Sequence, residues 1–223
     1  YKKKDNPKKK SSSNIMMLFE SQEDYTVRKP NLSPILIETL RKDFRKTLSP
    51  EQIFYYIYAI LYSNIYRTKY AEFLKIDFPR IPFTKDYKLF SKMSEYGKRL
   101  VELHLLKSSD LDPAISRLQG KGDNKVEKLK YEGKEKLLYL NQSRYFEGIT
   151  EDVWQYKIGG YQVCDKWLKD RKGKRLSLED IRHYSMIVAS LTKTIKIQNA
   201  IDDIYLGVEK EIIEIEIKNN SKQ

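Results

Sequence analysis

The stretch SPEQIFYYIYAILYSNIYRTKYAEFLKIDFPRIP, residues 49–82, decides how the chain folds. Ser49 stands where a helix N-cap is wanted. Pro50 follows at the first helical position, where a missing N–H costs nothing. Gln52 falls at the third helical position and completes a capping box with Ser49. The residues after it are apolar and aromatic, and Tyr58, Tyr62, Tyr66 and Tyr70 recur every fourth residue. That spacing puts them on one slowly drifting stripe of a helix over about 50–74. Tyrosine joins a large apolar ring to a hydroxyl that needs a partner, so the stripe suits helix packing or a wet interface. Phe78-Pro79-Arg80-Ile81-Pro82 then stops the helix, because proline has no N–H to donate and restricts the residue before it.

Upstream, Ser33-Pro34 repeats the start signal and predicts a helix over about 34–46, with Ile35, Leu36, Leu40 and Phe44 facing inward. The apolar run Asn14 to Phe19 is compatible with a strand, and residues 1–13 read as a flexible lysine- and serine-rich tail. Downstream, Phe90, Met93, Leu100, Leu103 and Leu106 predict a helix over about 86–106. Between about 110 and 158 the periodicity changes to short apolar segments bounded by Gly120, Gly122 and polar residues, the pattern of a small antiparallel sheet. Helix resumes over about 161–171, with Gly173 as its C-cap, and Ser177 with Asp180 opens a last long helix. Its stripe Ile181, Tyr184, Val188, Leu191, Ile195 shifts phase to Ile197, Ile201, Ile204, Val208, Ile212, which predicts a bend or an end midway. The fold class expected is α+β, mostly helical, with a small antiparallel sheet inserted between helical segments. The organisation expected is a tail and short apolar segment at 1–27, a helical part at 28–108, a β part at 109–160, and a helical part at 161–217.

The chain has 223 residues, starts on Tyr1 rather than methionine, and reads as a piece of something longer. No run approaches the ~20 apolar residues of a membrane span, and no secretory signal is visible. Cys164 is the single cysteine, so no internal disulfide forms and a cytoplasmic location fits. Lysine and arginine number 43 against 31 acidic residues, a net charge of +12, of which residues 1–10 supply +5. A moderate excess of that kind fits a solvated surface about as well as nucleic acid.

The motifs of the common enzymes are missing. There is no phosphate-cradling Gly-x-x-x-x-Gly-Lys loop and no Asn/Asp-Pro-Pro-aromatic run of the kind that holds a flipped adenine. One cysteine with the distant His104 and His183 does not make a zinc site. Asp123 ahead of Glu132-Gly133-Lys134 loosely matches a magnesium nuclease pattern. So do Glu216-Ile217-Lys218 and Asp86-Tyr87-Lys88, and three matches in a chain one-third charged show how cheap the pattern is. No catalytic residue, metal site or cofactor is therefore expected in the chain itself.

Two clusters suit binding. One is the basic run Asp165 to Arg175, where Lys166, Lys169, Arg171, Lys172, Lys174 and Arg175 are candidates for phosphate contact, joined by Arg67 and Lys69 beside the tyrosine stripe. Cations near a helix C-terminus are also favoured by the helix dipole, the bland alternative. The other is the pair of glycine-bounded loops near 119–125 and 141–149, where Gln119, Lys121, Asn124, Gln142 and Arg144 offer base-edge hydrogen bonds.

Residues 49–82 as quoted look very like the C-terminal specificity region of Type ISP restriction–modification enzymes. The resemblance continues through GKRLVELHLL (97–106), YFEG (145–148), VWQYKIGGY (153–161) and KWLKDRKGKRLSLEDIRHY (166–184), in order and at natural spacing. It implies a target-recognition fragment that binds double-stranded DNA on behalf of an adenine methyltransferase and nuclease in the same parent polypeptide. The S-adenosylmethionine, ATP and magnesium of such parents would then belong to the other domains. The alternative reading is a helical scaffold that docks the methyltransferase domain without touching bases.

Overall fold

A computed structural model describes residues 31–112 and 114–215. The expected tail and the strand at 14–19 lie outside the described residues, as does Glu216-Ile217-Lys218. The helices are α1 (Pro34–Phe44), α2 (Pro50–Tyr62), α3 (Asn64–Lys69), α4 (Phe73–Ile76) and α5 (Tyr87–His104). After a short 3-10 turn come strands β1 (Arg117–Gly120), β2 (Lys130–Glu132), β3 (Leu137–Tyr139) and β4 (Arg144–Glu147). Then follow α6 (Glu151–Trp154), the hairpin β5 (Lys157–Ile158) and β6 (Tyr161–Gln162), α7 (Val163–Lys169) and α8 (Leu178–Val208). The fold is α+β and mostly helical, with an antiparallel four-stranded sheet in the order β1-β4-β3-β2 between the helical segments.

The Ser49 capping box forms: Ser49 Oγ accepts from the Gln52 N–H at 3.2 Å, and Gln52 Oε1 accepts from the Ser49 N–H at 2.9 Å. The helix it opens is shorter than expected. It breaks at Ser63, whose extended backbone ends α2 and caps α3, and further breaks leave α4 as a separate turn. The cause is tertiary: Ser63 is buried, and its hydroxyl donates to Asp202 Oδ1 at 2.7 Å while accepting from the Tyr66 N–H. The break divides the tyrosines into two neighbouring pairs, Tyr58 with Tyr62 and Tyr66 with Tyr70. Tyr58 reaches His104 Nδ1, Tyr66 donates to Arg80 O, and Tyr70 donates to Glu209.

α2 and α5 approach backbone to backbone, which Gly97 allows: a Cβ there would lie 1.8 Å from Tyr55 O. Ile35, expected inward, is 45% exposed, whereas Leu40 and Phe44 are buried as expected. Of the expectation that the last helix bends or ends midway, the ending is corrected. α8 runs unbroken for 31 residues behind a full Ser177–Asp180 capping box. Its stripe shifts phase because its neighbours change. Tyr184, Val188 and Leu191 join a core with Phe146, Val153 and Leu168, while farther along Ser190 Oγ donates to Leu103 O and Asp202 holds Ser63. Ile212 lies beyond the helix, in an antiparallel bridge with Thr84.

Candidate nucleic-acid interface

The segment from the end of α7 to the cap of α8 is held to the loop after β1 by backbone hydrogen bonds. Gly173 adopts φ +80, and its N–H donates to Val126 O at 2.7 Å. Val126 N–H donates to Lys174 O at 2.9 Å, Leu176 N–H donates to Asn124 O at 3.1 Å, and Lys125 bridges Arg175 as in a sheet. The basic turn is thus zipped to the loop after β1. That loop is in turn stitched to the one before β4 by Asn141, whose amide donates to Asp123 O and Lys125 O while its oxygen accepts from the Ser143 and Arg144 N–H groups. Two candidate clusters some fifty residues apart in sequence so become one edge. Asn141 is the organiser the sequence reading missed; its only signal was an Asn-Gln-Ser turn between strands.

Within that edge the side chains divide. Lys166 pairs with Asp170 and Lys169 with Asp165, each a helical i,i+4 pair. Arg171 stacks on Trp167, 3.5 Å from the ring centroid, and its Nε donates to Asp180 at 3.2 Å. Hydrogen bonds from the Ser177 backbone and hydroxyl, then from Arg171, hold the Asp180 carboxyl below its ordinary pKa. Arg171 thereby ties α7 to the start of α8. Arg175 pairs with Asp123 at 3.0 Å, although 78% of its side chain stays exposed. Gln119 donates to Glu147, and Asn124 accepts from Arg144 Nε at 2.9 Å. Lys121, Gln142, Lys172 and Lys174 are exposed, and among the described residues their side chains have no polar partner.

Arg67 and Lys69 are not brought to this edge. Lys69 donates to Glu209, just past the far end of α8, where the Tyr70 and Tyr205 hydroxyls converge as well. The desolvation of Glu209 would raise its pKa, but these three donors outweigh it and hold the carboxylate below its ordinary value. Thirty-one helical residues at 1.5 Å each put that cluster ~45 Å from the basic turn. Arg67 is exposed and lines a groove with Tyr156 and Gln198.

Several groups with catalytic chemistry have partners within the fold or are buried. His104 lies between Tyr58 Oη at 2.8 Å and Thr194 Oγ1 at 3.0 Å, and burial holds its pKa below the ordinary 6.5. Cys164 is buried, which pushes its thiol up to about 12. Asp123 and Glu132 are engaged separately, with Arg175 and Lys130. Among the described residues no cluster of His, Cys, Asp and Glu is arranged to hold a metal ion, and no helix is long and apolar enough to cross a membrane.

The chain belongs to the Type ISP C-terminal specificity domain family, whose model matches residues 1–200. Solved structures share its fold. A DrdV–DNA complex superposes with a TM-score of 0.64 at 21% identity over 77% of this chain and 20% of that one. A nuclease-deletion mutant of the Type ISP restriction–modification enzyme LlaGI with a DNA substrate mimic gives 0.51 at 23% identity, over 75% and 14%. The ATP-dependent Type ISP enzyme LlaBIII bound to DNA gives 0.51 at 22%, over 80% and 12%. The chain thus spans a fifth or less of those chains. No curated protein matches it.

Proposed function

We propose that this chain is the target-recognition part of a Type ISP restriction–modification polypeptide and binds duplex DNA along the edge formed by the basic turn and the two loops. The observation that carries the reading is the convergence there of cations left without acceptors, Lys121, Lys172 and Lys174, beside exposed amide and loop groups such as Gln142. Lysines of this kind would contact phosphates and set position, while Gln142, Lys121 and their loop neighbours would reach base edges. Membership of a specificity-domain family, and the DNA named in the structures of similar fold, support it. On this reading the chain performs no catalysis and takes no cofactor. S-adenosylmethionine, ATP and magnesium serve the methyltransferase, translocase and nuclease parts of the parent, and the methyltransferase domain is the partner in cis.

A docking scaffold is the second reading. It is favoured by Ile76 at the end of α4 and Phe78 just after it, 84% and 88% exposed, an apolar surface suited to another domain. Fluorescence anisotropy of the chain with the duplex its parent methylates, and with a scrambled duplex, separates the two. Tighter binding of the parent's site is expected; absence of binding to both duplexes would leave the scaffold.

A further inference from the structure

A cleft of about 460 Å3 opens beside the basic edge, between β1, the loop ahead of it and the first turns of α8. Arg117, Arg144 and Arg182 line it, against one carboxylate, Asp112. Arg117 and Arg182 are exposed and have no ion pair or side-chain hydrogen bond among the described residues. Arg144 is held from behind, its Nε on Asn124 Oδ1 and its Nη1 on Gly120 O. A guanidinium carries five N–H groups in a planar fork, so the remaining donors of Arg144 are free for the cleft. Ser116 lines the same cleft, fully buried, and its hydroxyl has no hydrogen-bond partner. A buried hydroxyl left unsatisfied is costly, and a ligand oxygen would satisfy it. At the rim Leu178, 85% exposed, offers an apolar rest for a sugar.

We infer that this cleft is a seat for a phosphate group: three arginines surround an acceptor-rich anion and the Ser116 hydroxyl meets it from below. The inference rests on the DNA-binding reading if the phosphate belongs to the backbone of a duplex lying on the neighbouring edge. A free nucleotide presents the same chemistry, and the experiment separates the sources. The chain and its Arg117→Ala/Arg182→Ala variant are compared by anisotropy on a mixed-sequence duplex over a salt series, and by thermal shift with dAMP.

For a duplex phosphate, the variant loses about one unit of the salt slope and on the order of tenfold in affinity at ~0.1 M salt, the loss of one neutralised phosphate. Ser116→Ala lowers duplex affinity as well, yet raises the Tm of the unliganded chain, because it removes a buried hydroxyl that nothing satisfies. dAMP protection present in the chain and lost in the variant extends the seat to free nucleotides. No duplex binding by the chain, together with such dAMP protection, would sink the DNA reading and keep the seat. Unchanged duplex affinity and slope in the arginine variant, with no dAMP effect that depends on the arginines, would overturn the seat and leave the DNA reading standing.

Discussion

The two ends of α8 treat their cations in opposite ways. Toward its C-terminus, Lys69, Tyr70 and Tyr205 converge on Glu209, and Ser63, Asn64 and the Ile65 N–H converge on Asp202. These donors, Lys69 among them, meet acceptors supplied by the fold. At its N-terminus the turn is held by backbone hydrogen bonds to Val126 and Asn124, which leaves Lys172 and Lys174 outward and unpaired. A count of lysines and arginines does not distinguish these places. On the proposed reading, what marks the interface is the gathering of such unpaired cations on one edge, not an unpaired cation alone.

The helical end is the one most easily broken. Gly97→Ala puts a methyl 1.8 Å from Tyr55 O, and the three atoms it meets are all Tyr55 backbone, so α2 and α5 must separate. The expected loss, about 3 kcal/mol or more, lies at the upper end for overpacking and is read from chemical denaturation. A loss under ~1 kcal/mol would mean the two helices are not seated as described.

The basic end is broken through binding instead. Lys172→Ala/Lys174→Ala should leave stability unchanged and flatten the slope of log affinity against log salt by about 2, from roughly 0.9 per phosphate contact. At ~0.1 M salt, referred to 1 M, that is on the order of 60-fold. The loss should be equal on the parent's site and on scrambled DNA, since phosphates carry no sequence information. A loss confined to the parent's site would assign these lysines to base readout.

Gly173→Ala sharpens the contrast between the ends. Gly97 is needed for space, whereas a Cβ on Gly173 meets nothing within 4 Å and only its φ of +80 resists a side chain. About 1 kcal/mol of stability is expected to go, by denaturation, with affinity for DNA lowered as the zipped turn loosens.

Much of this architecture was legible beforehand, and the misses share one cause. The Ser49 and Ser177 caps, the α5 stripe and the sheet between helices all follow from local chemistry, and local chemistry prevails there. The break at Ser63 depends on Asp202, 139 residues away, and the uninterrupted α8 meets a change of packing partner that periodicity alone can read as an end. In the candidate interface the residue types were readable, but their division was not. Arg171 is occupied by Trp167 and Asp180, while Lys172 next to it has no partner. Arg117 and Arg182 gain interest only because folding places them on one cleft with Arg144.

His104 sits midway, and its effect depends on pH. Burial depresses its folded pKa below 6.5, so the neutral ring is the form the fold favours. Its contribution is complete above the unfolded pKa of ~6.5 and is lost as pH falls from there through the folded pKa. Denaturation from pH 8 to pH 5 should show stability falling through this window, and His104→Gln should remove that part of the fall. An identical pH profile in the variant would show that His104 remains solvated.

The smallest expected effect is the sharpest check on the comparison. Lys69→Ala removes a cation as real as Lys172, on a helix with an Arg67 beside it, and composition alone would give the two lysines equal weight. The fold does not: Lys69 is spent on Glu209, ~45 Å along α8 from the edge where the duplex is proposed to lie. Screening at physiological salt has a length of about 8 Å, so a charge at that distance contributes almost nothing to phosphate neutralisation at the turn. Lys69→Ala should therefore leave both affinity and salt slope where they were in the same anisotropy assay. A slope that flattened by about one unit in Lys69→Ala would mean the duplex reaches the far end of the long helix. The division between occupied and unoccupied cations would then no longer locate the interface.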